Sequence, residues 1–133
     1  MASTPSRETI SAPGAPAAVG PYSHAVRFGA LLFCSGQIPL DPATGEIVGA
    51  TAGEQARRCL ENLVAVCDAA GASLDQAIRV TVYMTDLARS AEVNAVYESF
   101  FSEEPPARVT IGVAQLPKGA GVEIDAIVAL DIN

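Results

Sequence analysis

The sequence predicts an α+β domain: one mixed β-sheet with two helices packed on one face, in the order β-β-(β)-α-β-α-β-β. Three observations lead there. Segments with strand character outnumber the two helical ones, and two helices can cover only one face of a sheet that size. Both helical segments carry a regular apolar stripe. The closing segment Val122 to Leu130 alternates, with Val122, Ile124, Ala126, Val128 and Leu130 on one side and Glu123, Asp125, Ile127 and Ala129 on the other.

Taken in order, residues 1–9 read as a flexible tail and residues 10–133 as a single domain. Ser11 to Pro21 is rich in Pro, Ala and Gly and reads as extended coil. Tyr22 to Phe28 and Leu31 to Ser35, separated by Gly29-Ala30, predict a β-hairpin. Gly36 to Gly45 is a loop, and Glu46 to Val48 is the optional short strand. Thr51 to Glu54 has capping-box spacing and opens the first helix. Ala56, Leu60, Leu63, Val66, Cys67 and Ala70 line its apolar face, and Gly71 stops it. Ile78 to Met84 alternates as a strand. The second helix carries Val93, Val96, Tyr97, Phe100 and Phe101 and ends at Pro105-Pro106. Two strands joined by a Leu-Pro-Lys-Gly loop close the chain.

Composition removes several function classes. The chain has 133 residues, half of them hydrophobic, so a folded core is expected. Eight basic against 15 acidic side chains give a net charge of −7, with no basic run. Phosphate contacts need clustered Lys and Arg, so an electrostatically driven nucleic-acid binder is not expected. Cys34, Cys59 and Cys67 are odd in number and lack C-x-x-C spacing, which fits reduced, buried thiols in a cytosolic protein. Met1 to Thr9 has no apolar signal-peptide core, and no stretch approaches the ~20 apolar residues of a membrane span. No membrane association is expected.

The chemistry concentrates in the last third. Alternation places Arg108, Thr110 and Gly112 on one side of their strand and Val109, Ile111 and Val113 on the other. An arginine and two carboxylates on regular strands suit a small site for an anion: a fork to grip a carboxylate and an acid to move a proton. A salt bridge from Arg108 to Glu123 or Asp125 on the neighbouring strand is the alternative, and residue positions alone leave both open. The face bearing Glu123 and Asp125 suits neither open water nor a core. A partner subunit covering it is expected, giving a symmetric oligomer. His24 is the only histidine. With no serine or cysteine motif beside it, a catalytic triad is not expected.

Four further stretches carry a resemblance: Val19-Gly20-Pro21-Tyr22-Ser23, Phe33 through Pro39 (FCSGQIP), Val93 through Phe101 (VNAVYESFF), and Pro106-Ala107-Arg108 through Ala126. Together, in this order, the chain from about Ile10 onward resembles the Rid (YjgF-like) family of reactive intermediate deaminases, most closely its RidA subgroup. The resemblance implies a chorismate-mutase-like fold assembled as a homotrimer with sites in the clefts between subunits. It implies hydrolysis of enamines and imines such as 2-aminoacrylate/2-iminopropanoate and 2-iminobutanoate to 2-keto acids and ammonia, with no cofactor and no metal. The family's arginine falls on Arg108, its acid on Glu123 and its tyrosine on Tyr22. Its glycine falls on Gly36 with Ser35 beside it, and its helix asparagine on Asn94. Thr110 stands where many relatives have cysteine, so a mechanism dependent on that thiol is excluded. Asp125 is read as support. A small-carboxylate-binding or chaperone-like trimer, a deaminase of pyrimidine or aromatic breakdown and, less well matched to the charge, a ribonuclease are the competing functions.

Overall fold

The computed structural model describes residues 6–130. Six strands form one sheet: β1 (Arg7–Ile10), β2 (Ala25–Phe28), β3 (Leu31–Gln37), β4 (Ala77–Met84), β5 (Ala107–Gly112) and β6 (Val122–Ala129). Their spatial order is β1-β2-β3-β6-β4-β5. Every neighbouring pair is antiparallel except β4 and β5, which run parallel. Two helices, α1 (Ala52–Ala69) and α2 (Ser90–Phe100), make the crossovers that parallel strands require.

Local chemistry sets the helix ends. Thr51 Oγ accepts from the Glu54 backbone N–H at 3.1 Å, the N-cap half of a capping box, and its hydroxyl donates to the Glu54 carboxylate at 3.0 Å. Gly71, at φ +69°, turns the chain out of α1 in a backbone conformation that disfavours a Cβ. The apolar stripe of α1 packs on Leu32, Val80, Val82, Ile124 and Val128, all fully buried. Val93, Tyr97 and Phe101 of α2 join the same core. Cys34, Cys59 and Cys67 are buried thiols within it. Cys34 is pushed well above the usual thiol range by its hydrogen bond with Cys67 and by burial. Its expected role as a small core residue holds.

Among the described residues the other face carries no helix. Phe28, Phe33 and Ile111 lie there 49%, 42% and 40% exposed, beside Tyr83 and Asp125. Among the described residues no helix is long and apolar enough to cross a membrane.

Three expectations need correcting. Residues 7–9, expected to lie in a flexible tail, pair with β2 as part of the edge strand Arg7–Ile10; residues 1–5 of that expected tail lie outside the described residues. Glu46 to Val48 makes no strand, only an isolated bridge from Ile47 to Leu40. Most consequentially, β5 and β6 are not neighbours: β4 lies between them. The rule that parallel strands need a long crossover is met through α2, and the Pro117–Gly119 turn carries the chain past β4 instead of closing a hairpin.

Candidate active site

The expected residues fall into two groups. The first surrounds Glu123. On β6 its side chain points to the helix-free face, opposite Tyr83 of β4. Between Cys34 and Gln37 the β3 ladder slips: two residues of β3, Ser35 and Gly36, stand against one of β6, Asp125. This is a β-bulge, a device that re-aims the backbone beside functional groups. It brings Gly36 so close to Glu123 that a Cβ at Gly36 would lie 2.1 Å from Glu123 Oε2. Only glycine leaves that carboxylate where it is.

Tyr22, His24, Gly36, Gln37, Pro117 and Glu123 are among the residues lining a cavity of about 40 Å³ here. That is room for a water beside the carboxylate, which needs roughly 10–15 Å³. Burial, and then the negative charge of Asp125, raise the Glu123 carboxyl above its ordinary range. A carboxyl so raised accepts a proton more readily than an ordinary carboxylate, as a general acid–base requires.

The cavity wall is tied down in an ordered way. His24 Nδ1 accepts from the Ala12 backbone N–H at 2.9 Å, and Nε2 donates to the Pro16 carbonyl at 2.8 Å. Both ring nitrogens are thus committed to the neutral Nε2–H tautomer, in keeping with the expectation that His24 is no triad member. The Ser35 hydroxyl donates to the Ser23 carbonyl at 2.6 Å, which spends it on the strap preceding β2. Tyr22 is 43% exposed, and its hydroxyl accepts from the Val19 N–H at 3.2 Å. Asp125 accepts from the Tyr83 hydroxyl at 3.0 Å, as suits a supporting role.

The second group surrounds Arg108. Pairing of Arg108 with Val80, Thr110 with Val82 and Gly112 with Met84 places all three on the face that the helices cover. Arg108 Nη1 donates to Asn94 Oδ1 of α2 at 2.8 Å, and its guanidinium carbon lies 4.7 Å from the Tyr97 ring centroid. None of the four ion pairs among the described residues involves Arg108. The alternative salt bridge to Glu123 or Asp125 is therefore absent, and the fork is available to an outside anion.

Arg108 and Glu123 stand on opposite faces of the sheet, with β4 between their strands. One copy of the chain cannot present both to one small molecule. Thr110 belongs with Arg108, and Tyr22 and Gly36 belong with Glu123.

Two positioning residues gave no sequence signal. Gln55 bridges the Gly49 carbonyl, to which it donates at 3.0 Å, and the Gly121 N–H, from which it accepts at 2.8 Å. It fixes the start of β6 just before Glu123. Asn62, fully buried on α1, donates to the carbonyls of Ile38 and Leu40 at 3.3 and 3.0 Å. Its oxygen accepts twice from Arg58, at 3.1 and 2.9 Å. It holds the loop that closes the Glu123 cavity. An amide inside an apolar helical stripe reads as noise until its partners are known. Among the described residues no group of three His, Cys, Asp or Glu could hold a metal ion.

Comparison with known proteins adds the family context. The Endoribonuclease L-PSP family model matches residues 12–130. A RutC family protein of Sinorhizobium fredii is 54% identical over 123 residues, 92% of this chain and 98% of that protein. The 2-iminobutanoate/2-iminopropanoate deaminase of Escherichia coli is 46% identical over 123 residues, 90% of this chain and 95% of that protein. The crystal structure of the YjgF gene product of Escherichia coli matches with a TM-score of 0.86 at 44% identity, over 92% of this chain and 98% of that chain.

Proposed function

The chain belongs to the YjgF/Rid family, the family of the Endoribonuclease L-PSP model, and from that membership we propose that it hydrolyses the C=N bond of small 2-imino acids. The substrates would be 2-iminopropanoate and 2-iminobutanoate, with their enamine tautomers, and the products 2-keto acids and ammonia. Two relatives at 46% identity carry the name 2-iminobutanoate/2-iminopropanoate deaminase. The observation that carries the reading is the pairing of an arginine free of carboxylates with a glutamate of raised pKa beside a water-sized cavity.

Because those two groups lie on opposite faces, the reading requires a second copy. We propose a homotrimer in which Arg108, Thr110 and Asn94 of one subunit face Tyr22, Gly36 and Glu123 of the next. A head-to-tail contact of this kind closes into a ring with identical sites. The exposed Phe28, Phe33 and Ile111 on the helix-free face support such burial.

In the proposed chemistry Arg108 grips the substrate carboxylate through two parallel N–H bonds. Gain of a proton at carbon and loss of one from nitrogen turn the enamine into the imine. Glu123 takes a proton from water as the oxygen adds to the C=N carbon. It returns that proton to nitrogen, giving a carbinolamine. The hydroxyl proton is then taken by Glu123 and passed to nitrogen as the C=O forms, the carbon–nitrogen bond breaks, and ammonia leaves with the electron pair. Water and imine are thus converted to keto acid and ammonia with no redox change and no cofactor.

Ribonuclease action, which the family's name suggests, fits this chain poorly. The lone histidine has both nitrogens bonded within the fold, and the net charge is −7. Imines generated in situ by an amino-acid oxidase test the proposal. Faster keto-acid release than in buffer is expected; none, with folded protein present, would leave only a carboxylate-binding role.

A further inference from the structure

We propose that Tyr97 is a positioning residue for substrate capture, holding the plane of the Arg108 guanidinium; this rests on the deaminase reading above. Arg108 ends an exposed, flexible side chain on an edge strand. Left alone, its rotatable bonds would let the fork sweep through many directions, and ordering it would fall on the substrate.

Two contacts remove that freedom. The Tyr97 ring lies under the guanidinium, 4.7 Å from centroid to carbon, within the range of a cation–π contact. Asn94 Oδ1 accepts from Nη1 at 2.8 Å. Asn94 and Tyr97 are three residues apart on α2, the spacing that puts two side chains on one helix face. The ring itself cannot tilt freely: Tyr97 is 6% exposed and packs on Phe101, with centroids 4.6 Å apart. One face and one corner of the guanidinium are therefore fixed, and its remaining edge can meet a carboxylate in the plane.

The phenol oxygen takes no part. Its hydroxyl is buried and has no hydrogen-bond partner among the described residues. The ring face alone carries the contact, so phenylalanine should substitute and an aliphatic residue should not. A residue serving only as core filling would show no such preference, and its effect would not depend on Arg108.

The test is a double-mutant cycle read by steady-state kinetics on 2-iminobutanoate, and by calorimetry with 2-oxobutanoate as an equilibrium probe. Tyr97→Phe should keep KM within about twofold of the parent, and Tyr97→Leu should raise it about tenfold with kcat little changed. In an Arg108→Ala background Tyr97→Leu should change neither KM nor probe affinity further. Equal effects in both backgrounds would overturn the proposal. Should Tyr97→Leu fail to fold, Tyr97→Met takes its place. The guanidinium protons of Arg108 also report the contact independently of turnover. Their NMR signals should be shifted by the ring current in the parent and in Tyr97→Phe, and unshifted protons in the parent would overturn the proposal. A parent that binds 2-oxobutanoate but hydrolyses no imine would sink the deaminase reading alone. A parent that does neither would sink both.

Discussion

Gly36 and Glu123 are in contact across a β-bulge, with the glutamate carboxylate occupying the space that a Cβ on residue 36 would need. The obstructing atom is the far end of a flexible side chain, so Gly36→Ala should fold with only a small change in Tm. The carboxylate must swing away, however. A displacement of about 1 Å from a productive position can cost on the order of 10²-fold in rate. Expected, then, is a near-parental melting curve with kcat strongly reduced. A parental kcat would mean that the carboxylate position is not what matters.

Charge at Glu123 links stability to pH. Its carboxyl is raised by burial and by Asp125, so between its ordinary pKa and the raised one the folded chain holds a proton that the unfolded chain has lost. Stability from this group is therefore full below that window and falls as pH rises through it. Glu123→Gln removes the penalty. Its Tm should exceed the parent's at pH 8 and match it near pH 4. Turnover should fall sharply, while affinity for 2-oxobutanoate is largely kept. Thermal melts and calorimetry across pH check both halves.

Arg108→Ala acts on the other half of the site. Losing a desolvated charge pair with the substrate carboxylate should cost about 2–5 kcal/mol of binding. The loss should appear mainly in KM. Arg108 has no carboxylate partner among the described residues, so stability should change little. A large drop in Tm with unchanged KM would assign Arg108 to architecture.

Asn62→Leu tests the loop anchor. It strips the carbonyls of Ile38 and Leu40 of a buried donor and frees Arg58. A cost of about 2 kcal/mol or more is expected. Chemical denaturation with an unchanged m-value would record it, and kcat should fall because Ile38 and Leu40 line the Glu123 cavity.

What could be read from the sequence was what repeats at short range. Both helices, the alternation of β4 and β6, and the grouping of Arg108 with Thr110 all follow from side-chain periodicity, which needs no knowledge of distant neighbours. The strand Arg7–Ile10 was missed because an exposed edge strand with one apolar residue leaves no pattern. The split of the site was missed for a different reason. Adjacency in sequence suggested a hairpin, whereas β5 pairs in parallel with β4 through α2. That one long-range choice moves Arg108 two strands from Glu123 and onto the other face. Gln55 and Asn62 were invisible because their partners are backbone groups far along the chain.

The split site has a direct consequence for mixed assemblies. Assayed with substrate no higher than the parental KM, Arg108→Ala and Glu123→Gln should each be nearly inactive alone. Refolded together in equal amounts, half the sites should receive an intact Arg108 and, independently, half an intact Glu123. With each site built across two subunits of a closed ring, about one quarter of the parental activity should return. Were both groups supplied to one site by a single chain, every chain would still carry one lesion, and no activity would return. Recovery near one quarter is the result this account predicts; a mixture as inactive as its components, with oligomers formed, would contradict it.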